Sequence, residues 1–130
     1  MKHFFRVLLA LSICSIVAAQ NITQLDLAKD DGKGKPGQIV KGFASSDNPI
    51  HCVIRIKTLS GPAVFTGTLI AVNAAKVTNY PVATANLSAS LGIDRLDFKF
   101  SLPRPWPGGS YKIEIKSKDK VLKDVSFDIK

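Results

Sequence analysis

Apolar and polar residues alternate one by one along most of this chain. In residues 50–57 the apolar Ile50, Cys52, Ile54 and Ile56 take every second place, with His51, Val53, Arg55 and Lys57 between them. Successive side chains leave opposite faces of a strand, so a period of two predicts an extended segment with one buried and one wet face. Leu96, Phe98, Phe100 and Leu102 repeat the pattern against Asp97, Lys99 and Ser101. Tyr111, Ile113 and Ile115 repeat it against Lys112, Glu114 and Lys116, and Val125, Phe127 and Ile129 against Ser126 and Asp128. Runs at 22–27, 38–44, 62–72 and 80–87 are rich in β-formers and bring the expectation to about eight strands.

Turn chemistry separates these runs. Residues 30–37 read DDGKGKPG, 45–49 SSDNP, 60–62 SGP, 103–109 PRPWPGG and 117–120 SKDK. Such punctuation between short strands predicts an antiparallel sandwich or barrel. No stretch carries helical amphipathicity of useful length; a single helical turn is expected at most around 71–76 or 88–92.

The first residues break the pattern. Lys2, His3 and Arg6 precede a nearly unbroken apolar run from Val7 to Ala18, and Val17-Ala18-Ala19 then gives way to Gln20 and Asn21. A basic start, a short apolar stretch and small residues before a polar junction predict a secretory signal peptide, residues 1–19, cut after Ala19. The apolar run is too short for a bilayer span, which needs about twenty residues. A lipid anchor at Cys14 fits poorly, because bulky Ile13 stands where a small residue is required. The expected mature domain is residues 20–130, secreted or periplasmic, one domain by length. Its one cysteine, Cys52, has no partner in the mature chain, so a disulfide-stapled scaffold is excluded.

Trp106-Pro107-Gly108-Gly109-Ser110-Tyr111 stands just before the last strand pair. A tyrosine that enters the penultimate strand after a glycine-containing bend matches the tyrosine corner of Greek-key sandwiches, with its hydroxyl on a nearby backbone group. The expected fold is therefore all-β: a single immunoglobulin-like sandwich of seven or eight antiparallel strands. Trp106 has two readings, a lid over one end of the core or an exposed aromatic contact for a ligand.

The segments SSDNPIHCVIRI (45–56) and FSLPRPWPGGSYKIEI (100–115) resemble a pattern in small, uncharacterised exported bacterial proteins with immunoglobulin-like β-sandwich domains. The resemblance spans about residues 22–129. It implies fold and export, and brings no activity, ligand or functional residue. Arg104-Pro105-Trp106 also resembles the binding-loop triplet of chagasin-like cysteine-protease inhibitors. However, Asn48-Pro49 is not followed by that family's Thr-Thr-Gly, and the triplet here precedes two strands rather than one.

Catalytic chemistry is sparse. The mature chain has one His, one Cys and one Glu: His51, Cys52 and Glu114. His51 and Cys52 are adjacent on a strand and leave on opposite faces, which separates a thiol from the base it would need and breaks a metal pair. Cys52 is expected to be a buried small apolar residue and His51 an ordinary face residue. Residues 32–37 fit GxGxxG, but Pro36 and a following strand make them a hairpin loop rather than the entry to a helix that holds pyrophosphate. Asp30 and Asp31, beside two lysines, are a poor calcium cage. Asp94 and Asp97, three apart on a strand, would face opposite sides and not pair as glycosidase carboxylates. Two sequons, at Asn21 and Asn86, matter only in a eukaryotic secretory pathway.

The formal charge is +8, less the two charges of Lys2 and Arg6 in the mature chain. The basic residues are spread over several strands without interleaved aromatics, which argues against a single-strand nucleic-acid groove. A solvated polar face is the simplest reading, with weak, salt-screened attraction to anionic envelope surfaces as the other. Together these features predict a monomeric, non-catalytic exported domain without cofactor or metal. Its partner is expected to be a protein or a glycan at the cell envelope or outside the cell. The expected ligand-binding residues are Arg104 and Trp106, since Arg and Trp are typical interface anchors. A structural role through strand-edge pairing is the alternative, and a secreted protease inhibitor a remote one.

Overall fold

The computed structural model describes residues 22–57 and 61–130; the expected signal peptide and its expected cut after Ala19 lie outside the described residues. Eight strands follow one another: β1 (Ile22–Asp30), β2 (Pro36–Val40), β3 (Ile50–Ile56), β4 (Ala63–Ala74), β5 (Val77–Ala89), β6 (Arg95–Phe100), β7 (Gly109–Ser117) and β8 (Lys120–Ile129). They form two four-stranded antiparallel sheets, in the orders β2-β1-β3-β6 and β5-β4-β7-β8.

The period-two residues become the filling between the sheets. Leu27, Ile50, Cys52, Ile54, Phe98 and Phe100 from the first sheet meet Phe65, Leu69, Ile113, Ile115, Phe127 and Ile129 from the second, all buried. At the centre the packing is close enough to require glycine. A Cβ on Gly67 of β4 would stand 2.6 Å from the ring of Phe98 on β6, well inside van der Waals contact.

The long second sheet corrects the reading of residues 71–76. The chain runs straight through them as β4, then reverses at Ala75-Lys76, where Ala74 pairs with Val77. A two-residue hairpin loop favours left-handed dihedrals at both central positions, because that twist matches the strands. Ala75 and Lys76 adopt φ of 49° and 65°, and Lys118-Asp119 in the β7–β8 hairpin adopt 53° and 64°. Residues 88–92 likewise contain no helix; β5 continues to Ala89 before the chain turns. The expected strand at 38–44 is shorter than the pattern suggests. β2 ends at Val40, and Phe43 then crosses to the other sheet, where it forms an isolated parallel bridge with Ile129.

An aromatic chain closes one end of the core. Phe43 meets Phe127 edge-on at 5.5 Å, Phe127 stacks on Tyr111 at 5.9 Å, and Tyr111 meets Trp106 edge-on at 6.4 Å. Aromatic pairs in these geometries stabilise beyond their buried area. The two segments that carry the family resemblance also meet here. The Trp106 amide donates to the Ser45 carbonyl at 3.0 Å, and the Asn48 side chain brackets both backbone groups of Leu102.

Candidate functional site

Between β6 and β7 the chain must pass from one sheet to the other, and residues 101–108 make that crossing. Its C-terminal end is held by Tyr111, whose hydroxyl donates to the Pro107 carbonyl at 2.6 Å. Gly109 follows at φ 150°, where a Cβ would strike the Asn73 carbonyl and Ala74 on β4. The crossing therefore hugs the turn end of the β4–β5 hairpin.

A half-open hollow of about 210 Å³ lies between the two. Its walls are mostly apolar: Ala71 and Ala74 of β4, Val77, Tyr80 and Val82 of β5, and Leu102 and Pro107 of the crossing. Arg104 and Trp106, the two residues singled out in the sequence, both line it. They do so in different ways. Arg104 is exposed and free to meet a ligand. Trp106 is only 1% exposed, so the reading as an exposed aromatic contact is corrected: the indole is a lid that the core holds through Tyr111. Its Nε1–H is buried and has no hydrogen-bond acceptor among the described residues. A buried unpaired donor costs roughly 1–3 kcal/mol.

Tyr80 and Val82 were within an expected strand, but nothing in the period-two pattern singled them out as wall residues. Tyr80 is 56% exposed, Val77 36%. The one signal in the sequence is a tyrosine in a β-rich run without charge from Val77 to Ala89.

The second cluster was not anticipated. His51 is completely buried, not an ordinary face residue. Its Nδ1 lies 2.9 Å from Asp97 Oδ2 and its Nε2 2.7 Å from Asp30 Oδ1. Two sheet neighbours supply the carboxylates: His51 on β3 stands opposite Ala28 of β1 and Lys99 of β6. Asp97 is thus its diagonal neighbour on one side, and Asp30 arrives from the end of β1 on the other. A neutral imidazole has one N–H and cannot donate to both carboxylates; the doubly protonated ring can. The Asp30 carboxyl is held below its ordinary value, chiefly by the bond to His51. Burial opposes this, and the Gly34 and Gly32 amides add to it.

The two aspartates of the Asp30–Gly37 loop are bonded to the loop's own backbone. Asp30 Oδ2 accepts from the amides of Gly32 and Gly34 at 2.8 and 3.2 Å. Asp31 Oδ1 accepts from Lys33 and Lys35 at 2.7 and 3.2 Å. The loop is a hairpin connection between β1 and β2. Asp94 lies just outside β6, whereas Asp97 is within it. Among the described residues no group of three or more His, Cys, Asp or Glu is arranged to hold a metal ion.

The Asp30–His51–Asp97 bridge has the composition of an acid–base site but not its access. Both ring nitrogens are bonded to carboxylates and the ring is closed to solvent, so neither nitrogen is presented to a substrate in this structure. Cys52, on the other face of β3, is equally closed off. Burial first, then the nearby Asp97 and Asp26 charges, push its thiol up to about 12, which leaves it without the thiolate that nucleophilic chemistry uses.

Two face-to-face antiparallel sheets with a tyrosine corner before the penultimate strand define an immunoglobulin-like β-sandwich. Among solved structures, the chain is similar to an immunoglobulin-like protein from Pseudomonas aeruginosa. The two share 10% identity with a TM-score of 0.56, over 85% of this chain and 95% of that one. Structures of a beta-glucosidase from Kluyveromyces marxianus, one of them in complex with glucose, match at 13% and 12% identity with a TM-score of 0.48. This chain spans only 14% of that enzyme's length, and the likeness says nothing about activity. No protein-family model matches the sequence. No curated protein matches it either.

Proposed function

We propose that this chain is an exported, non-catalytic binding module of the cell envelope or extracellular space, and that it engages its partner at the hollow beside Arg104. The observation that carries the reading is the hollow itself: an open, mostly apolar recess with one exposed guanidinium on its wall. Concave apolar sites with a few placed polar groups are the usual form of a binding site. The closed state of His51 and Cys52 supports a role without catalysis. The protease-inhibitor reading finds no support, because a buried Trp106 cannot be presented at a loop tip.

The test uses residues 20–130 as bait against envelope and culture-medium extracts, at about 0.1 M and 1 M salt, beside the variants Arg104→Ala and Tyr80→Ala. Surface charge attraction is screened over about 3 Å at the higher salt. A partner retained at high salt by the wild type and lost by both variants supports the reading. Capture that vanishes at high salt, or that both variants retain, removes the hollow from the function.

The structural alternative, strand-edge pairing, is favoured by one observation. β5 is an edge strand of thirteen residues without a single charged side chain. β6 and β8 carry lysine, arginine or aspartate within the strand and β2 is flanked by Lys35 and Lys41, as edges that resist pairing are; β5 has Lys76 at its N-terminal end and Pro81 within it.

A further inference from the structure

The hollow and the uncharged edge are parts of one surface. Val77, Tyr80 and Val82, which form one wall of the hollow, belong to the N-terminal half of β5. The outer side of β5 is unpaired among the described residues, because the strand ends its sheet. Resting on the binding reading above, we propose that this surface takes the C-terminal end of an extended peptide. The peptide pairs antiparallel with β5, its last, apolar side chain enters the hollow, and its terminal carboxylate meets Arg104.

Three observations select this occupant. The first is the hydrogen-bonding character of the wall. Arg104 is a donor, the Trp106 indole N–H is a donor without an acceptor among the described residues, and the proton of the Tyr111 hydroxyl is already given to Pro107, while the exposed Tyr80 hydroxyl at the rim can donate or accept. No carboxylate lines the hollow. A sugar presents hydroxyls that must both donate and accept, whereas a carboxylate only accepts and pairs with a guanidinium through two parallel bonds. The Trp106 Nε1 is closed off from solvent, so a ligand reaches it only by shifting a neighbouring side chain; Arg104 is the group met first.

The second is size. A cavity of about 150 Å³ holds a benzene ring, so 210 Å³ suits one side chain such as Leu or Phe rather than an oligosaccharide or a whole lipid chain.

The third is direction. β5 runs from Val77 beside the hollow to Ala89 away from it. A strand laid antiparallel along it therefore ends, at its C-terminus, beside Val77 and Arg104. Main-chain pairing of this kind gives affinity while side-chain pockets give specificity. β5 itself carries no charge, and the nearest one, Lys76, stands at the end where the peptide's carboxylate would lie. Pro81 has no N–H, so the ladder lacks that donor where Tyr80 stands at the rim.

Trp106 is the only tryptophan of the chain, so intrinsic fluorescence reports directly on the site. Residues 20–130 are titrated with an acetylated six-residue peptide ending in Val-Phe as the free acid. The same peptide as the C-terminal amide, 3-phenylpropionate and a neutral oligosaccharide are titrated in parallel. The free-acid peptide is expected to shift the emission and to bind about tenfold or more tighter than the amide, the scale of a charge-assisted bidentate contact. Arg104→Gln is expected to bring the acid down to the affinity of the amide. Equal affinity of acid and amide in the wild type overturns the carboxylate contact. Phenylpropionate bound as tightly as the peptide overturns the strand pairing and identifies a free apolar acid as the occupant. A response to the oligosaccharide alone overturns the peptide while leaving the hollow as a binding site. Silence with every probe overturns the inference, and the capture experiment then decides the binding reading separately.

Discussion

The hydroxyl of Tyr111 donates a 2.6 Å hydrogen bond to the carbonyl of Pro107, four residues back along the chain. This one bond joins the start of β7 to the crossing that carries Arg104 and Trp106. The ring is 2% exposed and lies between Trp106 and Phe127, and burial pushes its phenol upward from its ordinary value. Tyr111→Phe keeps the ring and leaves the Pro107 carbonyl without this donor. The expected loss is about 1 kcal/mol, the usual worth of such a bond, read as a lower urea midpoint at constant slope. An unchanged midpoint would show that the corner is held by its aromatic contacts alone.

Replacing His51 tests the carboxylate bridge. His51→Leu fills a similar space and leaves the Asp30 and Asp97 carboxylates facing an apolar group with no hydrogen-bonding partner between them. Such a change is expected to lower the thermal midpoint by roughly 10 °C. Adding Asp30→Asn and Asp97→Asn to the same chain should recover part of that loss, because the stranded charges are then gone. If the single variant melts with the wild type, the bridge contributes nothing to stability.

The sign of the Asp30 shift sets the acid limb. Its folded value lies below the ordinary 3.8, so the unfolded chain takes up this proton more readily than the folded one. The stabilisation is present above the ordinary carboxylate value and is lost as the pH falls through the lowered folded value. Denaturation midpoints measured from about pH 6 down to about pH 2 should fall less steeply in Asp30→Asn than in the wild type. A variant with the wild-type slope would show that other carboxylates carry the acid sensitivity.

Cys52 is fully buried and its thiol is pushed up to about 12. In residues 20–130, where Cys52 is the one cysteine, a thiol-specific reagent at about pH 8 should leave the native protein unlabelled and modify that thiol after full unfolding in guanidinium. Labelling of the native state within minutes would reveal opening of the first sheet, since Cys52 lies between Leu27 of β1 and Phe98 of β6.

How far the sequence led differs between the two clusters. Arg104 and Trp106 stand two residues apart in a proline- and glycine-rich connection, so local composition alone was enough to single them out. What local composition could not show was the burial of Trp106, since that depends on Tyr111, Phe127 and the β4–β5 hairpin closing around it. Asp30, His51 and Asp97 lie 21 and 46 residues apart. Each has a near neighbour of similar chemistry, Asp31, Cys52 or Asp94, and nothing in that neighbourhood points to the other two.

The approximate strand number, the apolar faces of β3, β6, β7 and β8, the tyrosine corner and the inward Cys52 were determined by the sequence alone. Each depends on alternation or on a turn, interactions between residues a few positions apart. The order of strands was decided by tertiary structure: β3 between β1 and β6, and β5 at an edge. That order turned His51 from an expected wet-face residue into a buried side chain bonded to two carboxylates, left the outer side of β5 unpaired among the described residues, and opened the hollow at the end of the β4–β5 hairpin. The physical reason is that strand pairing is non-local: a period of two states which side of a strand is apolar, but only the neighbouring strands determine what covers the other side.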